Sequence, residues 1–120
     1  MLISEISEKS GISIHTLRYY EKIGVLKPIA RNSSGRRIYN TSDLEWLTWI
    51  NRLKSTGMPL SEIKAYANYR SVGDSTLIQR QNILKQHGAK LSEEIERLNK
   101  ELAIVQFKIE SYQKKMLELE

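Results

Sequence analysis

The residues with the most chemical potential in this sequence are His15, Arg18, Tyr19 and Lys22, spaced i, i+3, i+4 and i+7. At helical periodicity they share one face, every member of it cationic or hydrogen-bonding, while Ile14, Leu17 and Tyr20 fall on the other side. Such a stripe suits contact with a polyanion. On an isolated helix it would more simply be a solvated surface, and the segments on either side decide between the two readings.

Ser13 is a good N-cap and Gly24 suits the left-handed position past a C-terminus, so the spacing predicts a helix over residues 14–23. Upstream, residues 4–9 read as a second short helix closed by Ser10-Gly11. Two helices joined by a tight glycine-containing turn form a helix-turn-helix pattern, and the polar face lies on its second helix. After Gly24 the chain leaves through Val25-Leu26-Lys27-Pro28. Residues 32–35, Asn-Ser-Ser-Gly, then separate two short β-capable arms, which predicts a hairpin. Period-two alternation places Arg37 and Tyr39 outward and Ile38 toward the core. With Arg31, Arg36 and Arg37 in one hairpin beside the cationic helix, phosphate contact is favoured over a plain basic loop.

Ser42-Asp43-Leu44-Glu45 fits a capping box with Ser42 at the cap, opening a helix that Gly57 ends. Leu44, Trp46, Leu47, Trp49, Ile50 and Leu53 make that helix apolar over most of its circumference. Trp46 and Trp49, with Tyr66, are candidates for an effector pocket, although core packing is the more ordinary role for such aromatics. Pro59 suits the start of a fourth helix, with Ile63 and Ala67 inward. Asp74 or Ser75 can cap the last element. Its positions 77, 81, 84, 88, 91, 95, 98, 102, 105, 109, 112, 116 and 119 alternate by four and three, and eleven of the thirteen are apolar; only Gln81 and Gly88 depart. This is a heptad seam. A lone helix would leave each of those side chains without about 1.5–3 kcal/mol of burial, and no other segment is long enough to cover it. The expected partner is a second copy of the chain, through Leu84, Leu91, Ile95, Leu98, Leu102, Val105, Ile109, Tyr112 and Met116.

The net charge of +5 over 120 residues is unevenly placed. Residues 1–70 carry eleven Lys and Arg against six Asp and Glu, and residues 71–120 carry eight of each. The whole excess lies in the first part, as in a polyanion-binding domain joined to a separate module. There is no Cys, and two isolated His make a metal site improbable. No cofactor is expected. No paired carboxylates, phosphate-cradling glycine loop or metal cluster points to an enzyme. Neither a membrane-length apolar run nor a leader is present, so a cytoplasmic protein is expected.

Three segments in order, Thr16-Leu17-Arg18-Tyr19-Tyr20-Glu21-Lys22-Ile23-Gly24, Gly35-Arg36-Arg37-Ile38-Tyr39 and Leu53-Lys54-Ser55-Thr56-Gly57-Met58, followed by the heptad helix, resemble the MerR family of bacterial transcription regulators over the whole chain. The resemblance implies a mainly α fold: a winged helix-turn-helix DNA-binding domain at residues 1–72, then an antiparallel coiled-coil dimerisation helix at residues 73–120. It implies a homodimer that binds double-stranded promoter DNA and distorts it, acting on RNA polymerase indirectly. Arg18 and Tyr19 would contact DNA from the recognition helix, Arg37 and Tyr39 would contact phosphates from the wing, and Lys54 would reach the backbone. Tyr20 would have a partly buried ring with its hydroxyl at a phosphate. Ser13, His15, Thr16, Lys22 and Arg36 complete the candidate DNA-binding set. The rival reading is a coiled-coil protein-protein interaction module whose winged domain binds another protein.

One departure matters. The chain looks most like the branch that senses aldehydes or other electrophiles through a single Cys before Gly57, and by spacing that position is Arg52. Without a thiolate, constitutive control or a non-covalent small-molecule effector is favoured over thiol chemistry.

Overall fold

A computed structural model describes residues 1–120. It contains five α-helices: α1 (Ile3–Ser10), α2 (Ile14–Ile23), α3 (Thr41–Ser55), α4 (Leu60–Val72) and α5 (Leu77–Glu118), with a single 3-10 turn at Asp74–Thr76 before α5. There is no β-strand. The hairpin between α2 and α3 is held by one antiparallel bridge, Arg31 with Arg37. The chain divides into two compact units, Met1–Leu84 and Lys85–Glu120.

In the first unit α1 packs on α2 and α3, and α3 on α4. Ile6, Leu17, Tyr20, Leu47, Ile50 and Ile63 are at most 2% exposed and form its centre, together with Val25, Leu26 and Tyr39. Each such aliphatic side chain contributes about 1.5–3 kcal/mol through burial. The turn between α1 and α2 is closed by short bonds: the Ser7 hydroxyl donates to Ile12 O (2.6 Å) and the Ile12 amide donates to Ser10 Oγ (3.2 Å). Asn51 of α3 then donates from Nδ2 to Ser10 O (2.8 Å), fixing the end of α1.

Two local expectations are corrected. α3 starts earlier than Ser42 at the cap implies: Asn40 is the N-cap, and the capping box pairs Asn40 with Asp43. Asn40 Oδ1 accepts from the Asp43 amide and the Asp43 carboxylate accepts from the Asn40 amide, both at 2.9 Å, so the box closes in both directions ahead of Glu45. In the wing, Ile38 is 40% exposed and Tyr39 only 1%, the reverse of the predicted alternation. With a single bridge the arm is not a pleated strand. Tyr39 is drawn inward where its amide donates to Met1 O and its carbonyl accepts from the Met1 nitrogen, each at 2.7 Å.

The second unit is the stretch of α5 from Lys85 onward. α5 buries no residue. Its seam residues Ile95, Leu98, Leu102, Val105, Ile109, Tyr112 and Met116 are all 51–59% exposed. No helix of the chain is long and apolar enough to cross a membrane.

Candidate nucleic-acid interface

Helix α2 starts where Ser13 Oγ accepts the Thr16 amide (3.1 Å) and stops where Gly24 takes φ +86°, a conformation costly for a residue with a Cβ. Leu17 and Tyr20 are buried and Ile14 is half-buried, so the opposite face is presented outward. His15, Arg18, Tyr19 and Lys22 are all exposed on it, as the spacing predicted. Ser13 and Thr16 are differently employed: Ser13 also donates to Thr16 Oγ1 (2.9 Å), and both hydroxyls serve the cap.

The wing turn is built by Asn32, whose Oδ1 accepts the amides of Ser34 and Arg36 at 3.0 Å, while Gly35 takes φ +78°. It is tied to α2 by Glu21. The Glu21 carboxylate accepts the Ile29 amide at 3.1 Å and Arg37 Nε at 2.9 Å, with both side chains of the ion pair about one-fifth exposed. Burial raises the pKa of Glu21. The Ile29 amide and the Arg37 guanidinium outweigh it and hold the carboxyl below its ordinary value. Glu21 lies inside the motif, yet nothing in its spacing marked it as a brace; the partners are eight and sixteen residues away.

Two clefts flank α2. One, of about 320 Å³, is lined by Arg18 from α2 and Arg31, Arg36 and Arg37 from the wing. Arg31 Nη1 donates to Gly35 O at 2.7 Å, which sets its guanidinium on the turn. Because Glu21 neutralises Arg37, the unpaired positive charge of this cleft rests on Arg18, Arg31 and Arg36. The other cleft, about 300 Å³, is lined by Thr16, Tyr19, Tyr20 and Lys54 among others. Lys54 Nζ donates to the Tyr20 hydroxyl at 3.0 Å, so Tyr20 combines a buried ring with a hydroxyl held beside a cation.

Tyr39 does not join these groups. Its hydroxyl is buried without a hydrogen-bond partner, and burial pushes its pKa above 10. The outward phosphate contact expected of it is therefore corrected to a core role. Among the aromatic candidates, Trp46 stacks on Tyr66 (5.8 Å between centroids, 10° between planes) and donates from Nε1 to Val25 O at 2.8 Å, while Trp49 is 39% exposed. Trp46 and Tyr66 are thus brought together in a packed arrangement. Arg52 is exposed on α3.

The chain matches the model of the MerR HTH family regulatory proteins over residues 1–70 and a second MerR DNA-binding model over residues 44–103. It is 35% identical to an HTH-type transcriptional regulator of Haemophilus influenzae across 92% of this chain and 82% of that one. It is 39% identical to the HTH-type regulator YyaN of Bacillus subtilis across 98% and 79%. Among solved structures it is similar to HiNmlR, described as a MerR family regulator lacking the sensor domain and bound to promoter DNA, with 34% identity, a TM-score of 0.79 and coverage of 94% of this chain and 90% of that one. The chain belongs to the MerR family of helix-turn-helix transcriptional regulators.

Proposed function

We propose that the chain works as a homodimer that reads double-stranded promoter DNA through the exposed face of α2 and the wing, and that it distorts the bound duplex to alter its use by RNA polymerase. Residues 1–72 would bind DNA, and residues 73–120 would hold two copies together antiparallel through the α5 seam. The observation that carries the reading is the cleft in which Arg18 of α2 meets Arg31 and Arg36 of the wing on one exposed surface. His15, Tyr19 and Lys22 extend it along α2, and Tyr20 with Lys54 supplies a contact on the other flank. Cations on both sides of a protruding helix suit the phosphates that border a groove. The work is done in the cytoplasm, without catalysis. The half-exposed seam on α5 supports pairing with a second copy. With no Cys in the chain, control by an effector is non-covalent.

The test is binding to duplex DNA by fluorescence anisotropy across a salt series. If the dimer neutralises about six to ten phosphates, affinity falls by roughly 10³–10⁵ between 50 and 200 mM salt. Arg36→Ala lessens that slope more than Arg37→Ala does, because Arg37 is already paired with Glu21. Arg18→Ala weakens binding and relaxes base preference. An Arg18→Ala/Arg36→Ala protein that binds duplex as well as its parent would refute the interface.

A further inference from the structure

A cleft of about 380 Å³ lies within the first unit, away from the α2 face, where the exit from α2, the start of α3, the end of α4 and the beginning of α5 meet. Its charged and aromatic lining is Lys27, Asp43, Trp46, Arg70, Asp74 and Arg80. The three cations come from three separate segments of the chain. Arg70 is held by an aromatic face rather than by a carboxylate: its guanidinium carbon sits 4.4 Å from the centroid of Trp46. That stacking fixes the plane of the guanidinium and leaves its edge donors uncommitted. Arg80 is the more unusual. Its side chain is 15% exposed, its Nη2 donates to Gly73 O at 3.0 Å, and its Nε is buried without any partner. The nearest carboxylate oxygen, on Asp74, stands 3.9 Å off on a side chain that is 99% exposed, so the pair is loose. Asp43 is committed to the cap of α3.

The guanidiniums of Arg80 and of the preoriented Arg70 line one space with Lys27, and the carboxylate nearest to Arg80 is only loosely paired with it, so an oxyanion seated among the three cations would gain charge-assisted hydrogen bonds. We propose that this cleft binds a small free oxyanion, a phosphate or carboxylate group, between Arg70, Arg80 and Lys27. Occupation draws the end of α4 and the start of α5 onto the segment that leaves α2, and so gives the regulator a non-covalent input that needs no thiol. The binding step is independent of the DNA reading, and its test can fail without touching that reading.

The test uses the full chain with Trp49→Phe, which leaves Trp46, on the cleft wall, as the sole tryptophan. Inorganic phosphate and, separately, citrate are titrated at constant ionic strength while Trp46 emission is followed. A saturable change is expected, weakened about tenfold or more by Arg70→Gln and by Arg80→Gln and less by the exposed Lys27→Gln, with thermal melting run on each variant. Lys27→Gln keeps the test decisive if an arginine variant does not fold, since loss of a surface ammonium leaves the core intact. A linear response, equal saturation by chloride, or curves unchanged in Lys27→Gln and the folded arginine variants would mean an adventitious ion only and overturn the proposal. Duplex affinity is measured in parallel without added anion. If Arg70→Gln lowers it as far as Arg18→Ala does, the cleft holds a DNA phosphate and the free-anion site is wrong.

Discussion

The Met1–Leu84 unit and the stretch from Lys85 to Glu120 solve the burial of apolar side chains in opposite ways. The first encloses Ile6, Leu17, Leu47, Ile50 and Ile63 completely and turns a cationic surface outward. In the second no residue is buried, and a regular seam of seven large apolar side chains is left half exposed. The first is therefore a finished core bearing a surface, and the second a surface that needs another to become a core. In the function we propose, contact with DNA falls to the part that is complete by itself, and most of the pairing of two such contacts to the part that is not.

The largest effect should come from attacking the incomplete half. Leu98→Glu with Leu102→Glu places charges in the seam; the dimer should dissociate and duplex affinity fall by about 10²–10⁴, because two linked recognition helices no longer bind as one. Sedimentation showing an undiminished dimer would mean that the two copies pair through some other surface. Leu47→Ala attacks the closed half and should cost that unit about 2–5 kcal/mol in denaturant unfolding. If it instead altered only dimerisation, the division between the units would be misplaced.

A smaller effect tests the brace. Glu21→Gln should cost about 1–3 kcal/mol, since it weakens a charge-assisted bond to Arg37 and one to the Ile29 amide. Its pKa is depressed in the folded state, so the contribution is fully present above the unfolded value near 4.5 and is lost as pH falls through the lower folded value. The gap in stability between the parent and Glu21→Gln should accordingly close as the pH drops below 4.5; a gap independent of pH would mean the carboxylate is not the source. The smallest change is expected from Tyr39→Phe. Deleting a buried hydroxyl that has no partner should leave stability unchanged or slightly raised, and a loss of more than about 1 kcal/mol would reveal a bond to that oxygen.

Helix α2 was legible because its signals are local: Ser13, Gly24 and the 3.6-residue period lie within twelve residues, and the bounds 14–23 agree with the structure. The long helix was legible because an apolar repeat of about 3.5 residues, sustained over many turns, matches a supercoiling helix and no other regular element. Where two local solutions competed, sequence reasoning chose badly. Asn40 with Asp43 and Ser42 with Glu45 are both sound capping pairs, and the pair that bonds in both directions won. The wing failed for a different reason. Alternation holds only in a pleated strand, and one bridge with a tie to Met1 overrode it at Ile38 and Tyr39. The link from Glu21 to Arg37 is a tertiary contact, and no pattern within the motif announces it.

The boundary at Leu84 also has a consequence for synthesis. Translation delivers the chain from its N-terminal side, so the closed core leaves the ribosome before the greater part of the seam does. Each newly made chain can fold its first unit on the ribosome and meet its partner afterwards as a preformed body. In the dimer we propose, pairing is then a bimolecular event governed by mass action, and the number of copies a cell maintains sets how much of the regulator is paired.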